Sequence, residues 1–270
     1  PGETGRVQGP AYHPHRGHHP PDGDRQGAAP DRCGDHNGQS ISVWFAVVGA
    51  GAIGAYLGAR LSLSGHDVSL IARGPHLRAM QDDGVRVRSA EGDFKARPVA
   101  TDDYEEIGAV DFIFLTVKAH GLPEIAPRLR PLLGPETAVL TAQNGIPWWY
   151  FQKLNGNYTD RVVSAVDPHG VLLNNIDPNG IIGCIAYPAA TIVEPGVVKH
   201  IEGNRFPVGE LDGNESDRVR RVADVLTGAG FKSRVIDDIR SEIWLKLWGN
   251  LTFNPISAMT HSTLVDICQF

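Results

Sequence analysis

The sequence predicts an α/β protein built on a parallel sheet, and three observations carry that expectation. Short, nearly continuous apolar runs recur at Val43 to Val48, Val110 to Val117 and Thr137 to Ala142, as expected of strands covered on both faces. The first run is followed at once by Gly49, Gly51 and Gly54, and then by apolar residues at helical spacing, Ile53, Leu57 and Leu61. Finally, 270 residues with 41% hydrophobic content can bury a large core in one or two domains.

The second observation is the most specific. The stretch Gly49-Ala50-Gly51-Ala52-Ile53-Gly54 fits G-x-G-x-x-G: Gly49 permits a tight turn, Gly51 admits a pyrophosphate to the backbone, and Gly54 lets the helix pack closely on the strand. The helix is expected from Ile53 to Ser64, closed by Gly65, with its free N-terminal amides facing the anion. Asp67 to Ala72 supplies the next strand, which makes the unit a Rossmann-type dinucleotide site. Where an NAD enzyme places a carboxylate on the ribose 2′-hydroxyl, this chain has Ala72, Arg73 and Gly74, with Arg73 nineteen residues after Gly54. An arginine there suits a 2′-phosphate, so the expected cofactor is NADP. The alternative is a solvated charge at a strand end.

A short helix is expected from Pro75 to Asp83, then a hairpin of Val85 to Ser89 with Phe94 to Val99. Lys118 follows the strongest strand, where a cation points into the cofactor crevice or simply opens a loop. Prolines 123, 127 and 131 shorten or kink any helix in Leu122 to Leu133. Asn144 lies in the Gln143-Asn144-Gly145 loop, placed to orient the nicotinamide or the substrate, or only to turn the chain. Pro147 to Phe151 brings aromatics to a helix start and reads as packing. Arg161 to Gly209 reads as an antiparallel extension of the sheet, Glu215 to Ala229 as an amphipathic helix, and Phe231 to Ile236 as a last strand.

Composition narrows the partners. A net charge of −6 offers no basic footprint for nucleic acid, and no apolar run suits a membrane span or a signal peptide. Cys33, Cys184 and Cys268 are odd in number and far apart, which fits a reducing cytoplasm and neither a disulfide framework nor a zinc site. Residues 1 to 40 are rich in glycine and proline, with Val7 their only Val, Ile, Leu or Phe, and read as a disordered tail. Its histidines, His13, His15, His18, His19 and His36, lack Cys or acidic spacing, so no metal site is assigned.

Asp238 to Ala258 holds a second constellation. Lys246, Asn250 and Asn254 fall at i, i+4 and i+8, one line along a helix face, while Ile243, Leu247 and Leu251 repeat the spacing on the side expected to be buried. Asparagine is a poor helix former, so two of them suggest amides with partners. Pro255 is expected to disturb the helix just past Asn254. A solvated face with one lysine is the alternative.

From about Ser42 onward the sequence resembles the ketopantoate reductases. The matching elements are GAGAIG at 49 to 54, ARG at 72 to 74, TVK at 116 to 118, QNG at 143 to 145, EPGVVKH at 194 to 200, and IWLKLWGN with NPISA between 243 and 258. The resemblance implies that Lys246 is the general acid, that Asn250 and Asn254 contact the substrate, and that Arg73, Lys118 and Asn144 serve the cofactor site. It implies a Rossmann-type NADP-binding domain over 41 to 236, then the start of an all-helical substrate domain over 237 to 270. Members of that family continue past the position of Phe270 with residues of the substrate site. The implied activity is NADPH-dependent reduction of ketopantoate, a small 2-oxo acid. The alternatives are a non-catalytic NADP-binding module and a reductase of another branched 2-oxo acid.

Overall fold

The computed structural model describes residues 42–269. The 1 to 40 tail, with its histidines and Cys33, therefore lies outside the described residues. β1 (Trp44–Val48) is the first strand; Gly51 caps α1 (Ala52–Leu63) without a side-chain bond, and β2 (Asp67–Ile71) pairs parallel with β1. α2 (Gly74–Asp83) follows with proline in its first turn. The expected hairpin forms from β3 (Val85–Arg88) and β4 (Phe94–Ala96). The strand expected to run on to Val99 does not: after Pro98, β5 (Val99–Thr101) leaves to pair parallel with β2. A proline supplies no ladder donor, so it separates the two pairings.

β6 (Phe112–Leu115) lies on the other side of β1, and β7 (Ala138–Thr141) beside β6. Between them α3 (Leu122–Ile125) passes into a 3₁₀ stretch through Pro131, the short helix expected of a proline-rich segment. The aromatic run opens no helix; Trp148 and Trp149 are buried in turns, Trp149 Nε1 donating to Thr141 Oγ1 at 2.9 Å. α4 (Val171–Asn175) leads to β8 (Ile181–Cys184), which pairs parallel with β7. The antiparallel extension expected here is thus only partly present. β9 (Ala189–Glu194) and β10 (Val197–Glu202) leave the main sheet, and only β11 (Val208–Glu210) joins it antiparallel, on β8.

The result is a seven-stranded sheet, β11-β8-β7-β6-β1-β2-β5, and a four-stranded sheet, β4-β3-β10-β9. Residues of β1 alternate between two cores: Phe45 and Val47 face one, Ala46 and Val48 the other. α1 lies between the two sheets, where His200 of β10 stacks on Tyr56 at 4.5 Å. α5 (Asp217–Gly228) is capped by Ser216. Residues 231 to 236 form no strand; they make isolated bridges, Arg205 to Lys232 and Val208 to Val235. α6 (Ile239–Thr260) and α7 (Leu264–Gln269) end the chain.

α6 departs from expectation in three ways. It continues through Pro255 to Thr260. Its apolar stripe is buried only at Ile243, whereas Leu251 is 64% and Trp248 71% exposed. Asn250 and Asn254 side chains make no hydrogen bonds among the described residues. No described helix is long and apolar enough to cross a membrane.

Candidate functional site

The chain steps from β1 to β2 and β5 on one side, then returns to β6 on the other. Such a reversal opens a crevice beyond the carboxyl ends of the two central strands. The glycine turn fills its floor. Gly49, at φ +97°, donates to Ile71 O at 3.0 Å, and Ala50 donates to the same carbonyl at 2.8 Å. Thr116 Oγ1 donates to Gly49 O at 2.9 Å, tying the turn to the end of β6.

Each glycine is required for a different reason. A Cβ on Gly49 would lie 2.5 Å from Val117 Cγ1, and one on Gly54 would lie 2.5 Å from Thr116 Oγ1 and 2.6 Å from Gly49 O. On Gly51 it would meet only Gly49 O, at 3.9 Å. Gly49 and Gly54 therefore serve packing, while Gly51 faces open space. The first amides of α1, at Ala52 and Ile53, have no acceptor within the helix and no capping side chain. A dinucleotide's pyrophosphate fits these donors and that space.

The other expected cofactor residues lie along the same edge. Arg73 precedes α2 at the end of β2, exposed and without an ion pair among the described residues. Lys118 and Asn144 are likewise exposed, just past β6 and β7. Gln143, which sequence reasoning passed over for its neighbour, donates from Nε2 to Leu115 O at 2.8 Å and Val117 O at 3.1 Å. Its Oε1 is buried without a hydrogen-bond partner among the described residues.

Lys246 reaches this edge from α6. Its Nζ donates to Ala186 O, two residues past β8, and lies 5.4 Å from the Tyr187 ring centroid. Burial holds the ammonium below the ordinary lysine pKa, partly offset by Cys184. The Cys184 thiol is fully buried and pushed up to about 12. Tyr187 is fixed in turn by donating to buried Glu242 at 2.8 Å, and its own pKa is raised to about 12, first by burial and then by that carboxylate. These supports, separated by 55 positions for Tyr187 and Glu242, carry no local sequence signal. Asn250 and Asn254 continue from Lys246 along the helix, the last about 12 Å away by helical rise. Among the described residues no group of His, Cys, Asp or Glu could hold a metal ion.

A family signature described as ketopantoate reductase PanE/ApbA matches residues 45–213. The chain belongs to the ketopantoate reductase family. A 2-dehydropantoate 2-reductase of Mesorhizobium japonicum is 48% identical over 223 residues, covering 82% of this chain and 68% of that protein. One from Archaeoglobus fulgidus is 30% identical over 79% of this chain and 63% of its own length. Among solved structures, a candidate ketopantoate reductase from Ralstonia solanacearum superposes with TM-score 0.80 at 36% identity, covering 85% of this chain and 71% of that one. The chain thus spans about two thirds of the length of these relatives. The family is one of dinucleotide-dependent oxidoreductases acting on a small molecule.

Proposed function

We propose that this protein reduces ketopantoate to pantoate with NADPH, on the route to pantothenate and coenzyme A. The observation that carries the reading is the partly desolvated Lys246 ammonium, held at the same sheet edge as the glycine turn. Along that edge the strand order β2-β1-β6-β7-β8 sets out Arg73, the glycine turn, Lys118, Asn144 and then Lys246. Four strand spacings amount to about 19 Å, room for a dinucleotide lying across the strand ends. In this reading Arg73 binds the adenosine 2′-phosphate, Gly49, Gly51, Ala52, Ile53 and Gly54 hold the pyrophosphate, and Lys118 and Asn144 line the nicotinamide side.

The cofactor, when bound, supplies hydride to C2 of the oxo acid. Lys246 donates a proton to the C2 oxygen and stabilises the charge developing there. Its lowered pKa makes that proton easier to give near neutral pH. Asn250 and Asn254, with unengaged amides on the same face, orient the substrate. The division into a nucleotide-binding part to residue 236 and a helical substrate part from 237 belongs to the same proposal, as does a cytoplasmic setting.

Mixing the protein with NADPH and ketopantoate and following the absorbance of the reduced nicotinamide tests the reading. Steady oxidation is expected, with the highest kcat/KM for ketopantoate in a panel of branched 2-oxo acids. Tight NADPH binding without oxidation of any of them would favour a binding module.

A further inference from the structure

The EPGVVKH motif at 194 to 200 stands outside the reaction so far described, yet its turn is seated against α2, the helix that Arg73 precedes. Gly196, at φ +76°, donates its N–H to His76 Nδ1 at 3.0 Å and accepts from Arg86 N at 2.9 Å. A Cβ on Gly196 would lie 3.1 Å from the Ala79 Cβ, so the turn already touches the helix. Because Nδ1 accepts, the imidazole is neutral with its proton on Nε2. Burial lowers the His76 pKa, in keeping with that state. Nε2 is buried against the backbone of Ala50 in the glycine turn, which partly offsets that lowering, and makes no other hydrogen bond among the described residues. What His76 supplies to the second sheet is the acceptor at Nδ1.

We infer that His76 is a positioning residue for cofactor selection: by fastening the first turn of α2 to the 195–196 turn of the second sheet, it holds Arg73, three residues earlier, where the adenosine 2′-phosphate binds. The inference rests on the assignment of Arg73 made above. The glycine turn has an anchor of its own, since Gly49 and Ala50 both donate to Ile71 O. Loosening α2 therefore displaces the contact to the 2′-phosphate and leaves the pyrophosphate site in place. NADH, which has no 2′-phosphate, loses nothing.

The test is titration of the unmodified protein, His76→Ala and His76→Asn with NADPH and with NADH, read by nicotinamide fluorescence. His76→Ala is expected to weaken NADPH about three- to tenfold, the net worth of one hydrogen bond, and to leave NADH within about twofold. His76→Asn, whose side-chain oxygen can accept from Gly196, should recover most of the loss. Should His76→Ala fail to fold, His76→Gln, which fills the space but moves the acceptor, carries the same expectation. Equal weakening of both cofactors, or unchanged NADPH affinity, would overturn the inference. Equal affinity of the unmodified protein for the two cofactors would overturn the Arg73 assignment itself, before any His76 variant is compared.

Discussion

The glycine turn is fastened on both flanks, by Ile71 of β2 and Thr116 at the end of β6, whereas among the described residues the hydrogen bonds that tie α6 to the sheet and its loops lie between its start and Lys246. There Asp238 accepts from the amides of Arg240 and Ser241 at 3.1 Å, and the Arg240 guanidinium donates to the carbonyls of Tyr150, Leu211 and Gln152 at 2.6 to 2.7 Å. Beyond Lys246 the helix exposes Trp248, Leu251 and Met259. In the proposed reading, cofactor binding resides in a preformed edge, and proton donation in a side chain at the last anchored turn of a helix. Affinity and turnover should separate under mutation.

The largest expected separation is at Lys246. Changing it to Ala should lower kcat by about 10²- to 10⁴-fold, the usual worth of a positioned acid, while NADPH affinity by titration stays within about threefold. The pH profile gives the sign. Because burial lowers the Lys246 pKa, kcat/KM should fall as pH rises through a value below that of a free lysine. A rate flat to strongly alkaline pH would remove Lys246 as the acid.

A smaller contrast lies within α6. Ile243→Ala, at a buried position, should cost about 2 to 5 kcal/mol in denaturant unfolding. Leu251→Ala, on the exposed stretch, should cost under about 0.5 kcal/mol. Equal costs would mean that the outer turns are packed.

Smaller again is the contrast between two glycines. Gly54→Ala forces a methyl onto Thr116 Oγ1 and the Gly49 carbonyl, and should destabilise the fold by about 1 to 3 kcal/mol. Gly51→Ala meets almost nothing, so it should leave the melting temperature unchanged and still weaken dinucleotide binding. The reverse pattern would mean that the open space at Gly51 is not the pyrophosphate site.

What was legible in the sequence follows the same divide. The turn from Gly49 to Gly54, its flanking strands and Arg73 are contiguous, so one local pattern specifies them. The second sheet was not legible, because β10 pairs with β3, more than a hundred residues earlier, and both are short strands with no signal of their own partner. β8 was misread as part of an antiparallel extension although its four residues are all buried, the mark of a parallel central strand. On α6 the spacing of Lys246, Asn250 and Asn254 correctly gave one face, but periodicity cannot say whether anything covers the opposite one. Partnerships at long range, such as Tyr187 with Glu242 and His76 with Gly196, required the fold.

An NADPH site along the sheet edge from Arg73 to Lys246 is the central claim. Fluorescence titration of the unmodified protein and of Arg73→Ala with both nicotinamide cofactors tests it. NADPH should bind about ten- to a hundredfold more tightly than NADH, as one charge-assisted contact to a phosphate allows, and Arg73→Ala should remove most of that preference while leaving NADH affinity as it was. Equal affinity of the unmodified protein for the two cofactors, or a preference that survives the loss of Arg73, would contradict it.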